Sequence, residues 1–564
     1  MPYETEVLII GGGATGLGCA LDLALRGIGC ILVEKGDLAS GTTGRYHGLL
    51  HSGGRYVTSD PQSARECARE NVILRRIMPH CLEDTSGVFV VTPWDDADYA
   101  DQFVANCHAA GVAVQELPLA ELQRRESLLN RAISRAFELH DGSADSFLAA
   151  RSLALAVESA GARIFSYHQL ERLIRMGDRV VAGVVTDRRS GEQQRIDCAY
   201  VLNASGAWAG RVAALAGVQL TLVAGKGTMV AMNHRMVNTV VNRCKYPADG
   251  DIIVPIHTVA VLGTTDLHVP DPDHYGIEAH EVALLLAEGE KLIPGLSRYR
   301  ALRAWAGVRP LYQDSGQRGG ADRAIPRTFK LLDHRERDGV AGLISLVGGK
   351  WTTYRLMAEE AVNLVAQRLG KLQPCRTAHE VLPVPATEHR AHLPPLRGAA
   401  ARYGAQTEHK ATWPINGLAQ PWGQNEIQGL DADYYYLGQH LGAVEQSQAA
   451  GDLICECELV TRARVLTALE QGIHTLDDIR RTLRVGMGPC QGGWCVYRTA
   501  ALLYEVQQTQ AQDAPIDPNM ALRDFLQARW KGALPILWGD QLRQARLDEQ
   551  IYVGLLGVDL IADS

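Results

Sequence analysis

The sequence predicts a multidomain α/β protein: a Rossmann-like domain with an inserted α+β domain, followed by a small helical domain. Three observations support this prediction. A glycine-rich loop at 11–16 stands between two strand patterns, and a strand, a Gly-Gly turn and a helix follow one another at 346–361. Four cysteines flank two short helical patterns after residue 450. A chain of 564 residues is long enough for about three to four domains.

The first domain opens on a strand and a glycine loop. EVLII at 6–10 is a short apolar run typical of a buried parallel strand. GGGATG follows at once and matches the pattern G-x-G-x-x-G through Gly11, Gly13 and Gly16. Glycines let the backbone approach a pyrophosphate, whose charge is stabilised by the N-terminus of the next helix. This stretch therefore predicts a dinucleotide site.

A helix and a second strand complete the nucleotide-binding unit. Apolar residues recur at helical spacing after the loop, with Asp22 predicted on the other face and Gly27 as the helix stop. GCILV at 29–33 is a second buried strand, and Glu34 ends it. An acidic residue about 20 positions after the first glycine is placed to bind the ribose hydroxyls of an adenine dinucleotide.

Composition and charge exclude several classes of protein. A net charge of −8 argues against nucleic acid as the main partner. No apolar run approaches the roughly 18–20 residues that a membrane helix needs. MPYETEVLIIGGG at the start lacks the basic region of a signal peptide, so we expect a cytosolic chain, in which structural disulfides are rare. The eight cysteines outside the cluster are then expected to be small buried side chains.

Three further stretches favour FAD over NAD. The segment 36–56 is rich in Gly, Ser and Thr and carries two histidines and two arginines, and VLNASGAW at 201–208 is a strand that runs into a small-residue turn. In LVGGKWTTYRLMAEEA at 346–361, a strand and a Gly-Gly turn bring Lys350 to the start of a helix. A helix N-terminus stabilises negative charge, which a reduced flavin carries at its N1/O2 edge.

Together these stretches resemble one family of enzymes. GGGATG, NASGAW and GGKWTTYR are similar to the FAD-dependent glycerol-3-phosphate dehydrogenases, which have a D-amino-acid-oxidase-like fold, and the similarity covers roughly residues 5–370. Further stretches narrow the resemblance to the A subunits of the anaerobic enzymes. They are HGLLHSGGRY, GVRPL at 307–311, and RWKG with PILWGD at 529–540. Those proteins also carry a cysteine domain.

The resemblance implies a quinone-linked glycerol-3-phosphate dehydrogenase of anaerobic respiration. Such an enzyme oxidises sn-glycerol 3-phosphate to dihydroxyacetone phosphate, and the hydride passes from C2 to flavin N5. The electrons would then leave through an iron–sulfur cluster and companion subunits, one of them membrane-associated, to a membrane quinone. We therefore expect a cytoplasmic protein that its partner subunits hold at the periphery of the membrane.

The resemblance also implies a set of FAD-binding residues. They lie in the glycine loop, in the segment after the second strand, and in the turns at 201–208 and 346–361. The expected residues are Gly11, Gly13, Ala14, Thr15, Gly16, Glu34, Lys35, Thr42, Thr43, Arg45, His47, Gly48, Leu49, Ala204, Gly206, Trp208, Gly348, Gly349, Lys350, Trp351, Thr352 and Thr353.

A phosphate monoester substrate calls for Arg and Lys donors, and Arg can bind it through two hydrogen bonds. Motifs shared with the family identify the candidates Arg55, Tyr56, Arg309, Arg327 and Lys350. Arg323 lies in a setting similar to that of Arg327 and competes with it. A surface ion pair is the ordinary role of any single Arg, so this assignment depends on the motif matches.

Oxidation of an alcohol needs a base for the hydroxyl proton. His51, in the HGLLHSGGRY motif, is the candidate, and Arg309 and Lys350 complete the predicted catalytic set. Aerobic relatives have a histidine after a KGS stretch, where this chain reads KGTM and has Met229. Two alternatives stay open: His51 could only hydrogen-bond the flavin or its loop, and Arg309 could stabilise a developing alkoxide.

The cysteine cluster predicts a metal site. Cys455 and Cys457 are one residue apart, and Cys490 and Cys495 have four residues between them. Four thiolates suit a [2Fe–2S] cluster, and they also suit zinc. The arrangement resembles the bacterioferritin-associated-ferredoxin-like domain, including its GMGPCQGxxC variant, so an iron–sulfur cluster is expected and zinc is the rival.

Two short helices between the cysteine pairs would bring them together. The patterns at 461–472 and 475–486 each begin with a threonine as N-cap and end at a glycine. A helix, a turn and a second helix would fold the second pair back onto the first.

The predicted domains are discontinuous. The FAD domain is assigned to 1–80, 140–225 and 330–370, and the substrate or cap domain to 81–139 and 226–329. The remaining predicted segments are a linker or irregular wrap at 375–449, the [2Fe–2S] domain at 450–510 and a C-terminal docking tail at 511–564.

Two other functions fit the sequence. A dehydrogenase of the same superfamily that acts on an amino acid, an opine or a 2-hydroxy acid would use the same Arg and Lys residues to hold a carboxylate. A flavin protein without catalysis, acting as a redox sensor, would need only the cofactor residues. Reduction of the flavin by substrate in the absence of oxygen separates these alternatives.

Overall fold

Two large sheets and a helical carboxyl-terminal part make up the computed structural model, which describes residues 3–312, 328–387, 452–473, 475–510 and 517–560. Its helices are Ala14–Leu25, Pro61–Ile77, Asp98–Ala110, Leu119–Arg125, Ser146–Ser159, Ala209–Ala214, Ala279–Leu292, His334–Asp338, Tyr354–Leu369, Arg462–Glu470, Leu476–Leu483, Cys495–Gln510, Pro518–Ala533 and Asp540–Glu549. Within these ranges, no helix combines the length and apolar character needed to cross a membrane. Arg323, Arg327 and most of the predicted linker at 375–449 lie outside the described residues.

The first sheet is built around the strand that precedes the glycine loop. Tyr3–Ile10 pairs in parallel with Cys30–Glu34 on one side and with Gln193–Asn203 on the other. Val7 belongs to one hydrophobic core and Leu8 to another, so both faces of the strand are buried. The other strands of this sheet are Arg163–Ser166, His168–Met176, Arg179–Asp187, Phe329–Asp333 and Leu343–Gly348.

The second sheet forms a cap over the first. Its longest strands, Leu222–Met232 and Ala301–Tyr312, pair antiparallel along their length. The first of them begins before the predicted boundary at 226, because residues 222–225 already pair with the opposite strand. The other strands of the cap are Gly87–Val91, Gln115–Glu116, Arg135–Leu139, Val240–Arg243, Ile252–Ile256, Val259–Gly263 and Leu267–His268. Short strands Leu49–Leu50, Leu82–Glu83 and Gly142–Ala144 form a separate small sheet.

Asp22, which the sequence places on the other face of its helix from the apolar residues, does not face solvent. It is fully buried, and its carboxylate accepts hydrogen bonds from Arg26 at 2.6 and 3.0 Å. Burial raises the pKa of Asp22, against the opposing effect of Arg26. Because Arg26 compensates the charge, the whole helix can pack between two neighbouring helices. The helix ends as predicted, with Gly27 at a φ of +69°.

The cysteine region contains the two expected helices. Arg462–Glu470 and Leu476–Leu483 begin at Thr461 and Thr475, and each threonine side chain accepts a hydrogen bond from a backbone N–H of the first turn. The second helix ends earlier than predicted: Arg484, and not Gly486, takes the left-handed C-cap position, with a φ of +64°. Of the eight cysteines outside the cluster, seven are buried as expected, and Cys375 is half-buried.

The C-terminal helices close partly onto the cap. Helix Pro518–Ala533 lies so close to strand Ala301–Tyr312 that a Cβ at Gly532 would be 3.0 Å from the Ala304 carbonyl oxygen. Ile536 follows this helix, is fully buried and belongs to the hydrophobic core of the cap. This part of the predicted docking tail therefore packs against the body of its own chain.

Candidate functional site

A cavity of about 920 Å³ lies between the first sheet and the cap. It opens at the carboxyl ends of Tyr3–Ile10, Cys30–Glu34 and Leu343–Gly348. Parallel strands present their following loops at one edge of a sheet, which is where ligands bind in folds of this kind. The cap contributes residues around Arg309 and Thr264 from the other side.

The glycine loop leaves room for a phosphate group at the start of its helix. A Cβ at Gly16 would lie 1.9 Å from the Gly11 carbonyl oxygen, so Gly16 lets the helix pack on the strand. At Gly13, a Cβ would meet only the side chain of Thr43, at 3.0 Å. The Thr43 hydroxyl accepts a hydrogen bond from the Ala14 N–H at 3.1 Å. The open side of Gly13 faces the cavity, as close approach of a pyrophosphate requires.

Glu34 lies at the nucleotide end of the cavity. Its carboxylate accepts hydrogen bonds from the N–H groups of Gly12 at 2.7 Å and Gly36 at 2.9 Å. Burial raises the pKa of Glu34, and these two hydrogen bonds oppose that effect. The side chain is thereby fixed at the place expected for a ribose. Beside it, the Lys35 ammonium lies 4.2 Å from the centre of the Trp208 ring.

The structure brings most of the expected FAD-binding residues to the cavity wall. The exceptions are Gly16, Gly48, Thr352 and Thr353, which lie behind the lining residues. Gly48 has a φ of +81°, and a Cβ there would collide with Ile256. The Thr352 hydroxyl accepts the His51 N–H at 3.0 Å, and the Thr353 hydroxyl donates to the Lys350 carbonyl at 3.2 Å. These residues hold the lining loops in place, and their predicted direct contact with FAD stays a prediction.

Trp351 and Tyr46 form one wall of the cavity. Their ring centres are 5.9 Å apart, with 21° between the ring planes. The Trp351 indole N–H is buried and finds no hydrogen-bond acceptor in the part of the chain that the structure describes. A buried donor normally has a partner. A ligand with acceptor atoms in this cavity, such as a flavin, fits that requirement.

Two arginines on the cap side are each held by a carboxylate. Arg55 Nη2 donates to Asp251 Oδ1 at 2.5 Å, and Arg309 Nη1 donates to Asp266 Oδ1 at 2.8 Å. Arg309 Nη2 also donates to the Thr264 hydroxyl at 2.6 Å. Both arginines line the cavity, and their predicted role in substrate binding stays a prediction.

Lys350 and Tyr56 lie together at the same end. The Lys350 ammonium donates to the Ser63 hydroxyl at 2.7 Å and lies 4.5 Å from the centre of the Tyr56 ring. The Tyr56 hydroxyl is 3.4 Å from His51 Nε2. Lys350, Tyr56 and His51, three of the predicted substrate-binding or catalytic residues, are therefore neighbours.

His47 and His51 lie between these cations, with ring centres 6.1 Å apart. Burial, followed by the charges of Arg55 and Arg309, lowers the pKa of His47 to about 3. Burial, with His47, Arg55 and Lys350 nearby, lowers the pKa of His51 well below its ordinary value. Both imidazoles are neutral at pH 7, and a neutral imidazole can accept a proton.

Met229 is buried in the cap close to His47. A Cβ at Gly263 would contact the Met229 side chain at 3.2 Å and the His47 side chain at 3.7 Å. A thioether thus lies near the histidine pair. This environment offers no proton acceptor at 229.

Several lining residues were not predicted from the sequence. His168–Glu171 line the cavity from an antiparallel strand, and Arg211 lines it together with Asp273, its ion-pair partner at 2.5 Å. Neither group carries a local motif, and the contact between 211 and 273 joins distant segments. Tyr46 stands in the same loop as His47, and its aromatic side chain was the signal that could have identified it.

The four clustered cysteines come together in the folded chain. Cys457 is within hydrogen-bonding reach of Cys490, Cys490 of Cys495, and Cys495 of Cys455. Hydrogen bonds from the thiols of Cys457 and Cys495 contribute most to lowering the pKa of Cys490, to about 2. The backbone N–H groups of Gly492 and Trp494 also donate to the Cys490 sulfur and act on its pKa in the same direction.

Such N–H donors stabilise thiolates, the form that binds iron. The four sulfurs follow one another as a row of neighbours. Among the described residues, no three Cys, His, Asp or Glu side chains surround one point as a single metal ion requires.

Two family models match the chain. Residues 6–355 match the FAD dependent oxidoreductase family, and residues 453–505 match a BFD-like [2Fe-2S] binding domain. FAD and a [2Fe–2S] cluster are therefore the cofactors of this chain. The prediction of an iron–sulfur cluster in place of zinc is confirmed.

The fold is shared with the glycerol-3-phosphate dehydrogenase of Bacillus halodurans, solved with FAD, at a TM-score of 0.65 and 21% identity over 95% of this chain and 96% of that one. Among curated proteins, the A subunit of the anaerobic glycerol-3-phosphate dehydrogenase of Escherichia coli (strain K12) is 39% identical over 99% of this chain and 97% of the relative. The A1 subunit of the Haloferax volcanii enzyme is 40% identical over 99% of this chain and 92% of the relative. With such identity along its whole length, the chain belongs to the family of anaerobic glycerol-3-phosphate dehydrogenase A subunits.

Proposed function

We propose that this chain oxidises sn-glycerol 3-phosphate to dihydroxyacetone phosphate. Bound FAD supplies the hydride acceptor for the substrate C2, and the bound [2Fe–2S] cluster supplies one-electron transfer to the next protein. The observation that supports the proposal best is the convergence of Arg55, Arg309 and Lys350 in the cavity that also contains the glycine loop. The charge of these residues complements that of a small phosphate dianion next to the flavin site.

Arg55 and Arg309 bind the phosphate in this proposal. Asp251 and Asp266 hold the two guanidinium groups in place through hydrogen bonds of 2.5 and 2.8 Å. Because the side chains are already ordered, little conformational freedom is lost when the substrate binds. Tyr56 and Lys350 complete the same end of the cavity. The predicted role of Arg327 concerns a residue outside the described part of the chain and stays a prediction.

His51 accepts the proton of the C2 hydroxyl in the proposed mechanism. Its imidazole is neutral because burial and the nearby cations depress its pKa. The same cations stabilise the negative charge that develops on the substrate oxygen as the proton leaves. Lys350 thus acts on the reacting oxygen, and His51 removes its proton.

Anaerobic mixing of the purified protein with candidate substrates tests this function. We expect sn-glycerol 3-phosphate to bleach the flavin absorbance, and amino acids, opines and 2-hydroxy acids to leave it unchanged. Bleaching by one of those carboxylates and not by the phosphate would favour the rival dehydrogenase. A flavin spectrum that no substrate bleaches would favour a redox sensor.

We further propose that electrons leave through companion subunits to a membrane quinone, and that the end of the docking tail is part of that interface. Leu542, Leu547 and Leu555 are 51%, 46% and 78% exposed, and the first two lie on a shallow surface of helix Asp540–Glu549. Exposed apolar groups on a helix mark an interaction surface. Trp494, next to the ligand Cys495, is also 47% exposed, so a partner here would lie close to the cluster.

A double substitution tests this interface. Leu542→Asp with Leu547→Asp should abolish co-purification of the companion subunits and leave anaerobic bleaching of the flavin unchanged. Leu372→Asp, at a leucine that is 80% exposed elsewhere on the molecule, is the matched control and should retain the partners. Normal partner binding by the double variant would place the interface on another surface.

A further inference from the structure

Four ionisable side chains from three parts of the fold meet in one buried cluster, which we call the domain junction. Asp145 comes from the nucleotide-binding domain, His257 from the cap, and Glu458 and Arg484 from the cysteine domain. Their side chains are between 2% and 13% exposed. None of these residues has a role in the proposed chemistry of the cavity or in ligation of the cluster.

In the junction, His257 and Arg484 each lie between the carboxylates of Asp145 and Glu458. His257 Nε2 lies 3.5 Å from Asp145 Oδ2, and its Nδ1 lies 3.7 Å from Glu458 Oε2. Arg484 bridges the same two carboxylates, with Nε 2.9 Å from Glu458 Oε2 and Nη1 3.5 Å from Asp145 Oδ2. The Thr258 hydroxyl donates to Glu458 Oε1 at 2.9 Å. Removal of one partner would leave an opposite charge buried without its counterion.

Two residues of the junction have a positive φ, a backbone conformation that residues other than glycine rarely adopt. His257 has a φ of +47° in the two-residue turn between Ile252–Ile256 and Val259–Gly263, where glycine or asparagine is usual. Arg484 has a φ of +64° at the end of its helix. Both side chains contact the Glu458 carboxylate. Strain of this kind persists where the surrounding contacts enforce it, and it points to a functional constraint.

The junction reaches towards both redox sites. On one side, Glu458 follows the ligand Cys457, and its backbone N–H donates to the sulfur of the ligand Cys455. On the other side, Asp145 follows Ala144, whose carbonyl oxygen lies 3.5 Å from the hydroxyl of the cavity residue Tyr46. A continuous set of contacts therefore links a cluster ligand to the wall of the flavin cavity.

We propose that the domain junction positions the cluster-bearing loop against the flavin cavity and thereby sets the rate at which electrons pass from one site to the other. This inference rests on the proposed function, because it needs a flavin that substrate reduces and a cluster that accepts the electrons. The four residues are positioning residues: they hold the cap turn and the cysteine loop in register with the cavity wall. The reaction at the substrate does not depend on them.

The experiment follows the two sites separately in the intact protein with both cofactors bound. After anaerobic mixing with sn-glycerol 3-phosphate, flavin absorbance reports the first step, and the EPR signal of the reduced cluster in freeze-quenched samples reports the second. In Glu458→Gln we expect flavin bleaching within twofold of wild type and cluster reduction at least tenfold slower. Reduction by dithionite should give an EPR signal of wild-type intensity, which shows that the cluster is still present.

His257 variants provide the matched comparison. His257→Gly relaxes the turn and removes the imidazole, so we expect cluster reduction to be slower than in wild type. Asparagine tolerates the conformation of the turn and keeps a polar group, so His257→Asn should restore part of the rate. His234→Gly is the control, because His234 also has a positive φ, of +70°, but is exposed and outside the junction.

The outcomes distinguish this inference from the proposed function. Cluster reduction within twofold of wild type in both Glu458→Gln and His257→Gly would overturn the positioning role. If Glu458→Gln lost its cluster, the EPR signal after dithionite reduction would be missing. The rate of cluster reduction in His257→Gly would then decide, because His257 belongs to a different domain from the cysteine ligands. A wild-type protein whose flavin is bleached while its cluster stays oxidised would contradict the proposed electron route itself.

Discussion

At the cavity, burial and nearby charges fix the state of the side chains that are proposed to act on the substrate. Arg55 and Arg309 are paired with buried carboxylates, and His51 is held neutral by burial and by the cations around it. The cations proposed to bind the phosphate and the neutral imidazole proposed as the base therefore stand side by side. Oxidation of a phosphorylated alcohol needs both at once.

Arg309 is expected to contribute strongly to substrate turnover. Arg309→Ala should lower kcat/KM by a factor that corresponds to about 2–4 kcal/mol of transition-state stabilisation. The reason is that Asp266 and the phosphate both lose a charged partner. Steady-state kinetics with a small dye as electron acceptor measures this effect. Arg309→Lys should recover part of the loss, since it restores the charge without the two-pronged geometry. Activity of the alanine variant within twofold of wild type would remove Arg309 from the site.

Gly13 is expected to be essential for the flavin. Gly13→Val should give a largely colourless protein, because the branched Cβ occupies the space that the pyrophosphate needs at the helix N-terminus. The visible spectrum after purification measures the flavin content. Gly276→Val is the control, since a Cβ there has no neighbour closer than 3.6 Å. Full flavin content in Gly13→Val would mean that this loop is not the phosphate site.

The low pKa of His47 predicts a loss of stability on the acid side. In the unfolded chain a histidine binds a proton below about pH 6.5, whereas folded His47 does so only near pH 3. Between these two pH values the unfolded state binds more protons than the folded state. The free energy of unfolding therefore decreases as the pH is lowered, by up to about 1.4 kcal/mol per pH unit for this residue.

Denaturant unfolding of wild type and His47→Asn at pH 7, 6 and 5 measures this contribution. Other buried histidines are common to both proteins, so the difference between the two slopes belongs to His47. We expect the free energy of unfolding to decrease less steeply towards acid pH in His47→Asn than in wild type. Equal slopes would contradict a histidine that stays neutral in the folded protein.

At the scale of helices and strands, the elements with local signals were predictable from the sequence. The strand before the glycine loop, the stop at Gly27 and the caps at Thr461 and Thr475 all depend on residues within one turn of the element. The residues of the cavity that belong to such motifs were predictable for the same reason. Glycine loops and threonine caps satisfy backbone requirements that hardly depend on the rest of the fold.

Features that depend on distant partners were not predictable. The helix end at Arg484 is set by Glu458, 26 positions earlier in the chain. The cavity strand that contains His168 has no motif, and the domain junction joins Asp145 to residues of two later domains. Asp22 is different: its partner Arg26 is local, but burial of such a pair depends on the neighbouring helices. No local pattern contains these long-range contacts.

The segment around Ile536 is expected to stabilise the cap. Ile536 is fully buried in the cap core, so Ile536→Ala should lower the free energy of unfolding by about 2–5 kcal/mol, through lost burial and a cavity. Thermal and denaturant unfolding measure the change. Leu534→Ala, at a leucine that is 58% exposed, should be close to neutral. Equal effects of the two substitutions would contradict the packing of this segment in the core.

At the scale of the whole molecule, two redox sites lie in separate units that ion pairs and hydrogen bonds hold together. Arg481 of the cysteine domain pairs with Asp37 of the nucleotide-binding domain at 2.9 Å, and the Tyr167 hydroxyl donates to Asp478 at 2.6 Å. Each site has its own ligands and its own core. Loss of one cofactor should therefore leave the other in place.

Cys490→Ser tests this independence. The variant should lose the iron–sulfur cluster and keep its FAD, so sn-glycerol 3-phosphate should still bleach the flavin and reduce a small dye that reaches the flavin directly. Quinone reduction with the companion subunits added back should fall sharply. Full quinone activity in the variant, or zinc without iron in the wild-type protein, would contradict the role of the cluster in electron transfer.

The strand order of the first sheet has a consequence for how the protein is made. Gln193–Asn203 lies between Tyr3–Ile10 and Leu343–Gly348, so one wall of the cavity comes from residues near 10 and another from residues near 350, which are translated later. At about 5–20 residues per second, a ribosome needs roughly 20–70 seconds to produce the second wall after the first. Cys490 and Cys495 are translated later still. The nascent chain can therefore complete both walls of its flavin cavity before the cysteines that bind iron have been made.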